Sequence, residues 1–197
     1  MVTEIRIYYE GSRLLRSGFD AFFTSLKSRA KANRCRVTLV AAGSGGTACR
    51  DFGIAIPKMH PTAWNILLKD SEGPHYDNLS VSLCGEWQWD KSRADLIFWM
   101  VEMMESWFHA DKDSLEKFYD TGFSRNALKA NPNVEQISKK DLKEGLRAAT
   151  KNTQKGDYYD DKTSHGPKLL ALINPDLVQK AAPNCRKLFE TILVKLP

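Results

Sequence analysis

Several features are scarce or missing in this chain, and each absence removes a class of protein. No apolar run reaches the ~18–20 residues that a membrane-spanning helix needs. The opening residues, MVTEIRIYYEG, have no signal-peptide layout and run straight into a strand pattern. Cysteine is sparse: Cys35, Cys49, Cys84 and Cys185 stand far apart without a C-x-x-C pair. That argues against a disulfide framework or a zinc site, and for a reducing, cytoplasmic setting. There is no G-x-S-x-G elbow and no Cys–His signature, so side-chain nucleophile chemistry has no support. The loop Gly43-Ser44-Gly45-Gly46 lacks the Walker lysine pattern and is not a P-loop. It reads as a strand-to-helix turn whose amides can face a phosphate. Internal repeats and low-complexity tracts are absent.

What is present is an ordinary globular composition. The chain has 197 residues, 42% hydrophobic and 27% charged, enough for one domain with a real core. The net charge is +5, unevenly spread. Residues 1–60 carry ten basic and four acidic side chains, residues 61–120 five and twelve, and residues 121–197 fourteen and eight. A basic–acidic–basic chain suits a cation-binding centre with flanks that meet phosphates. Solvated helix faces that happen to cluster by sign are the plainer reading.

Periodicity organises the chain. Residues 4–9 (EIRIYY), 36–42 (RVTLVAA) and 63–69 (AWNILLK) read as strands. Helical patterns intervene over 18–31, where Phe19, Phe22, Phe23 and Leu26 share a face, and over 47–56, stopped by Pro57. Strands alternating with helices predict a parallel α/β sheet. A fourth strand is expected over 96–101, turning into a helix near Met103. Ser138 and Asp141 form an S-x-x-D cap signal for a helix over 138–150. Residues 151–164 read as a polar loop, followed by two closing helices over 167–173 and 184–194.

The chemistry concentrates at strand ends, where open α/β sheets bind ligands. Glu10 follows the first strand, and Asp70 with Glu72 ends the third as D-x-E. Hard divalent cations such as Mg²⁺ or Mn²⁺ take carboxylate oxygens of this kind. A polar turn alone also explains Asp and Gly there. Glu105, between Met104 and Trp107, is a further candidate ligand if buried, while Asp111 suits a helix cap. Lys162 and His165, near Lys155 and Lys168, form a late basic cluster able to neutralise a phosphate. Lys151, Lys155, Lys162 and Lys168 are the expected nucleic-acid contacts. His60, His75 and His109 have no metal-ligand spacing. Trp87 and Trp89 are candidates for base stacking or, more plainly, for packing.

The segments IRIYYEGS, GGTACRDF, LLKDSEGP, MVEMMESWFHAD, NPNVE, KTSHGPKLLALINP and CRKLFETI, in this order, resemble a bacterial family of the Toprim-like group. The resemblance runs from Ile5 to Ile192; DSEGP and MESWFHAD are its most specific segments. It implies a Toprim-like core over residues 1–111, a parallel sheet of about four strands, with a helical extension over 112–197 packed on it. Glu10 matches the glutamate after the first strand, which implies a catalytic base or metal ligand, Asp70 and Glu72 match the D-x-D motif, and Glu105 matches the later glutamate of OLD-type relatives. Lys162, with His165 beside it, matches the basic residue that assists cleavage. The implied function is a Mg²⁺-dependent nuclease acting on DNA or RNA, an anti-phage effector with an ABC-type ATPase partner or as a homo-oligomer. The chain departs from the family in two places: no acid closely follows the first Glu-Gly, Asp20 being next, and the second D of D-x-D is Glu72. Those departures fit an alternative, a catalytically silent binding or regulatory subunit of an ATPase complex.

Overall fold

In the computed structural model, which describes residues 1–56 and 62–197, the first strand forms as expected over Glu4–Tyr9 (β1). Successive side chains of a strand point to opposite faces. Ile5, Ile7 and Tyr9 accordingly enter one buried cluster and Tyr8 another. The helix expected over 18–31 is two helices, Arg16–Phe22 (α1) and Thr24–Ala32 (α2). Neither Gly nor Pro breaks them. Phe23 leaves helical geometry (φ −91, ψ 12), with its buried ring 6.0 Å from Phe19 and 5.5 Å from Phe189. Tertiary aromatic packing therefore holds a break that local propensity does not signal.

Arg36–Ala41 is β2 and Gly45–Ala55 is α3, which takes in the last two glycines of the turn. The expected stop at Pro57, like His60, lies outside the described residues. Ala63–Asp70 is β3. A helix over Leu79–Glu86 (α4) follows where no periodic signal predicts one. Ile97–Met100 is β4, just inside the expected span. The next helix starts at Ser106, not Met103 (α5, Ser106–Ala110), because turns fill the gap. Asp111 caps Lys112–Tyr119 (α6), accepting the Ser114 amide at 3.1 Å. Ser138 caps Lys139–Thr150 (α7), accepting the Asp141 amide at 3.2 Å, as the S-x-x-D signal predicts.

The end of the chain differs from expectation. Helix α8 spans Lys162–Leu172, so the expected loop over 151–164 ends early and Lys162 and His165 are helical. A proline usually marks a first helical residue, but Pro167 lies inside α8. Pro175–Ala181 (α9) and Pro183–Lys195 (α10) complete three closing helices rather than two.

The four strands are parallel in the order β2-β1-β3-β4. The fold is thus α/β, a four-stranded parallel sheet flanked by helices. Phe22 and Leu26 of α1 and α2, and Leu188 and Ile192 of α10, join the cluster on one sheet face. Phe52 of α3 and Leu83 of α4 cover the other. The C-terminal helices thus share a core with β1. A Cβ on Gly18 of α1 would stand 2.6 Å from the Pro167 carbonyl oxygen, so glycine lets α8 approach closely. From β1 the chain goes to β2 on one side and returns to β3 on the other. The crevice between the ends of β1 and β3 is therefore the topological switch point, where ligands bind in such sheets. No helix among the described residues is long and apolar enough to cross a membrane.

Candidate metal centre

β1 and β3 bring two carboxylates to that crevice. The Glu10 amide still donates to Leu68 (2.8 Å), so the chain stays in the ladder one residue past β1. Glu10 Oε2 then accepts the Asp70 amide at 3.2 Å. Asp70 Oδ1 accepts the Met104 amide at 2.9 Å, which ties the end of β3 to the turn after β4. Glu72 takes left-handed backbone geometry (φ 62), costly for a non-glycine residue and a feature of functional turns. The result is that Glu10, Asp70 and Glu72 each place an oxygen within 4.8 Å of the others, a group that can hold a metal ion.

Glu105 lies on the same side, at the head of α5, with no solvent exposure. Its Oε1 accepts the Tyr158 hydroxyl at 2.8 Å and sits 2.6 Å from Lys162 Nζ. Its Oε2 is buried without a hydrogen-bond partner. A pocket of about 420 Å³ is lined by Glu10, Asp70, Glu105 and Lys162, with Gly43 and Ser44 at its edge. Burial pushes Asp70 well above the usual carboxylate range, and the charges of Glu105, Glu10 and Glu72 add to it against Lys162. Burial, with help from Glu105, likewise raises the Tyr158 phenol and keeps it a donor. A desolvated Asp70 repelled by neighbouring carboxylates and an orphaned oxygen on Glu105, all hard oxygen donors, fit a divalent cation.

Lysines that the sequence did not single out surround the acids. Lys69 Nζ is 3.6 Å from Glu10 Oε2 and donates to the Asp70 carbonyl at 2.7 Å. Its place in the apolar run AWNILLKD is the one signal, since a buried lysine needs a partner. Lys139 of α7 donates to Glu72. Glu102, also buried, fixes α7: its Oε2 accepts the Lys139 amide at 2.9 Å and its own amide donates to Ser71 Oγ at 2.7 Å. On this side a second pocket, about 520 Å³, opens between Asp70 and Glu72 and the basic face of α7.

Other expected site residues fall elsewhere. His165 does not join the carboxylates. Its Nδ1 meets the Tyr119 hydroxyl at 3.1 Å, Nε2 is 3.9 Å from Asp161, and its ring packs edge-on against Phe118. His165 packs against Tyr119 and Phe118, whereas Lys162, at the start of α8, alone of the expected lysines lines the carboxylate pocket. Lys155 lies 5.3 Å from the Phe118 ring and Lys168 donates to Ser164 at 3.1 Å. Lys151 is exposed beyond α7. Trp87 and Trp89 are half-buried, 6.0 Å apart, with Trp89 against Phe52, which is packing. The glycine turn faces an acid of its own chain, since a Cβ on Gly45 would lie 3.2 Å from Glu10 Oε1.

No curated protein and no solved structure matches the chain. A family model does match, over residues 12–193. With nearly its whole length covered, the chain belongs to the family described as a domain of unknown function, DUF4276.

Proposed function

We propose that the protein is a Mg²⁺- or Mn²⁺-dependent phosphodiesterase acting on DNA or RNA. The observation that carries this reading is the convergence of Glu10, Asp70 and Glu72 at the sheet's switch point, beside the buried, half-satisfied Glu105. These four side chains would hold the ion. A divalent cation bound there supplies Lewis-acid polarisation of a phosphoryl oxygen and a bound water of lowered pKa. Lys162, half-exposed at the pocket mouth, meets the developing negative charge of a phosphate. Lys69 and Lys139 hold Glu10 and Glu72 in place. The Toprim-like resemblance of the sequence supports the same reading, including an ABC-type ATPase as partner.

A second reading rests on those lysines. Lys69, Lys139 and Lys162 pair with Glu10, Glu72 and Glu105, so three of the four carboxylates have a lysine counterion without a metal. That arrangement favours a catalytically silent subunit that binds or regulates an ATPase. Incubation of the protein with mixed DNA and RNA and Mg²⁺ or Mn²⁺, with and without an ATPase partner, separates the two. The nuclease reading expects EDTA-sensitive cleavage that Asp70→Asn abolishes. Full cleavage by Asp70→Asn, or none under any of these conditions, overturns it.

A further inference from the structure

We propose that the basic flank of α7 is the track along which one polynucleotide strand reaches the carboxylate centre. The proposal rests on the nuclease reading and adds to it the residues that seat the substrate and the strandedness they accept. Helix α7 buries Leu142, Leu146 and Ala149, and the flank beside that buried face carries Lys139, Lys143 and Arg147 at intervals of four, with Lys140 alongside. Four residues rise about 6 Å along a helix, so this row is about 12 Å long. One strand of DNA presents a charge about every 3.4 Å of axis, so the row faces three to four consecutive phosphates.

A basic helix face is usually only solvated, and two features set this one apart. The row forms one wall of the 520 Å³ groove whose other wall carries Asp70 and Glu72, with Lys162 also lining it. Its direction is fixed at the start by Lys139, bonded through its amide to Glu102 and through its ammonium to Glu72. A backbone lying on the row is thereby delivered to the acids. At the far end the Arg147 guanidinium lies 5.3 Å from the Tyr159 ring, which also lines the groove and holds the guanidinium on its wall. Glu144 also lines the groove, but Lys140 lies 3.9 Å from it. The groove offers one row of cations facing acids, which suits one backbone. A duplex would bring a second row of phosphates against Asp70 and Glu72.

The test is fluorescence anisotropy of a short, mixed-sequence single-stranded oligodeoxynucleotide with the full chain in EDTA, across a salt series. Wild-type affinity should fall linearly on a log–log plot with rising salt. At about 0.7 per phosphate contact in single strands, Lys143→Glu/Arg147→Glu should flatten the slope by about 1.4. It should also weaken low-salt binding about tenfold or more while leaving a Mg²⁺-induced rise in melting temperature intact. Lys143→Gln/Arg147→Gln should move the slope in the same direction, and Lys151→Glu/Lys155→Glu should leave it unchanged. An unchanged slope in the α7 variants, an equal loss in the Lys151/Lys155 variant, or no wild-type binding overturns the track. Tighter binding of duplex through the same residues overturns the single-strand assignment. A wild-type protein without a Mg²⁺-induced rise overturns the metal centre, while a slope flattened by the α7 variants still supports the track.

Discussion

Glu105 has no solvent exposure, and its Oε1 sits 2.6 Å from Nζ of Lys162, whose own side chain is 46% exposed. One partner comes from the turn after β4 and the other opens α8. A buried carboxylate is tolerated only with such compensation. Because the Lys162 side chain reaches solvent, under the proposed function it is a cation that would turn toward a phosphate.

Removing that ammonium should therefore leave a buried charge without its counterion. Lys162→Met is expected to lower stability in EDTA by about 1–3 kcal/mol, less than for a wholly buried pair because water reaches the lysine. The double variant Lys162→Met/Glu105→Gln should recover most of the loss, since a neutral amide needs no counterion. Urea unfolding midpoints measure both. A Lys162→Met protein as stable as wild type would show that the pair does not compensate Glu105.

Mg²⁺ or Mn²⁺ should raise the melting temperature. A ligand of the folded state at a hundredfold excess over its dissociation constant contributes ~2.7 kcal/mol, or about 5–10 °C for a chain of this size. Asp70→Asn should abolish the rise yet melt no lower than wild type without metal. It removes the repulsion from Glu105, Glu10 and Glu72 and keeps an oxygen for the Met104 amide. Differential scanning fluorimetry gives the answer, and a full Mg²⁺ response from Asp70→Asn refutes the centre.

His109 gives the fold an acid-sensitive point. Burial lowers its pKa from 6.5 to about 4, against the Glu105 carbonyl that its Nδ1 meets at 3.2 Å. The folded protein thus binds fewer protons than the unfolded chain below pH 6.5. The stability that depends on the neutral ring is full above that pH and is lost as pH falls toward 4. A tenfold difference in proton affinity between the folded and unfolded chain is worth about 1.4 kcal/mol, so the loss reaches about 3 kcal/mol. His109→Leu should be less acid-sensitive than wild type by that amount. Parallel pH–stability curves for the two proteins would contradict this.

Gly18→Ala separates packing from propensity. In an isolated helix alanine is favoured over glycine by about 1 kcal/mol. Here the new Cβ would meet the Pro167 carbonyl oxygen at 2.6 Å and Leu170 at 2.9 Å. Overpacking should dominate and destabilise the protein by about 1–3 kcal/mol. A more stable alanine variant in thermal melts would show that α1 and α8 can part without cost.

The sequence by itself determined what short-range rules govern. Alternation in EIRIYY, RVTLVAA and AWNILLK marked three strands, and cap residues Asp111 and Ser138 marked helix starts. Acids placed directly after the first and third strands then had to lie at the sheet's carboxyl edge, which made Glu10, Asp70 and Glu72 legible. Only the tertiary structure decided the rest. Helix α4 has little amphipathic pattern and forms where the sheet face needs cover. His165 and Lys162, three residues apart, turned to different surroundings once α8 began at Lys162. Lys69, Lys139 and Tyr158 reach the acids from positions far apart in the chain, and Glu102 holds the Lys139 amide. Periodicity and caps report on a few neighbouring residues. Strand order and helix docking set which side chains meet, because they depend on burying apolar faces contributed by the whole chain.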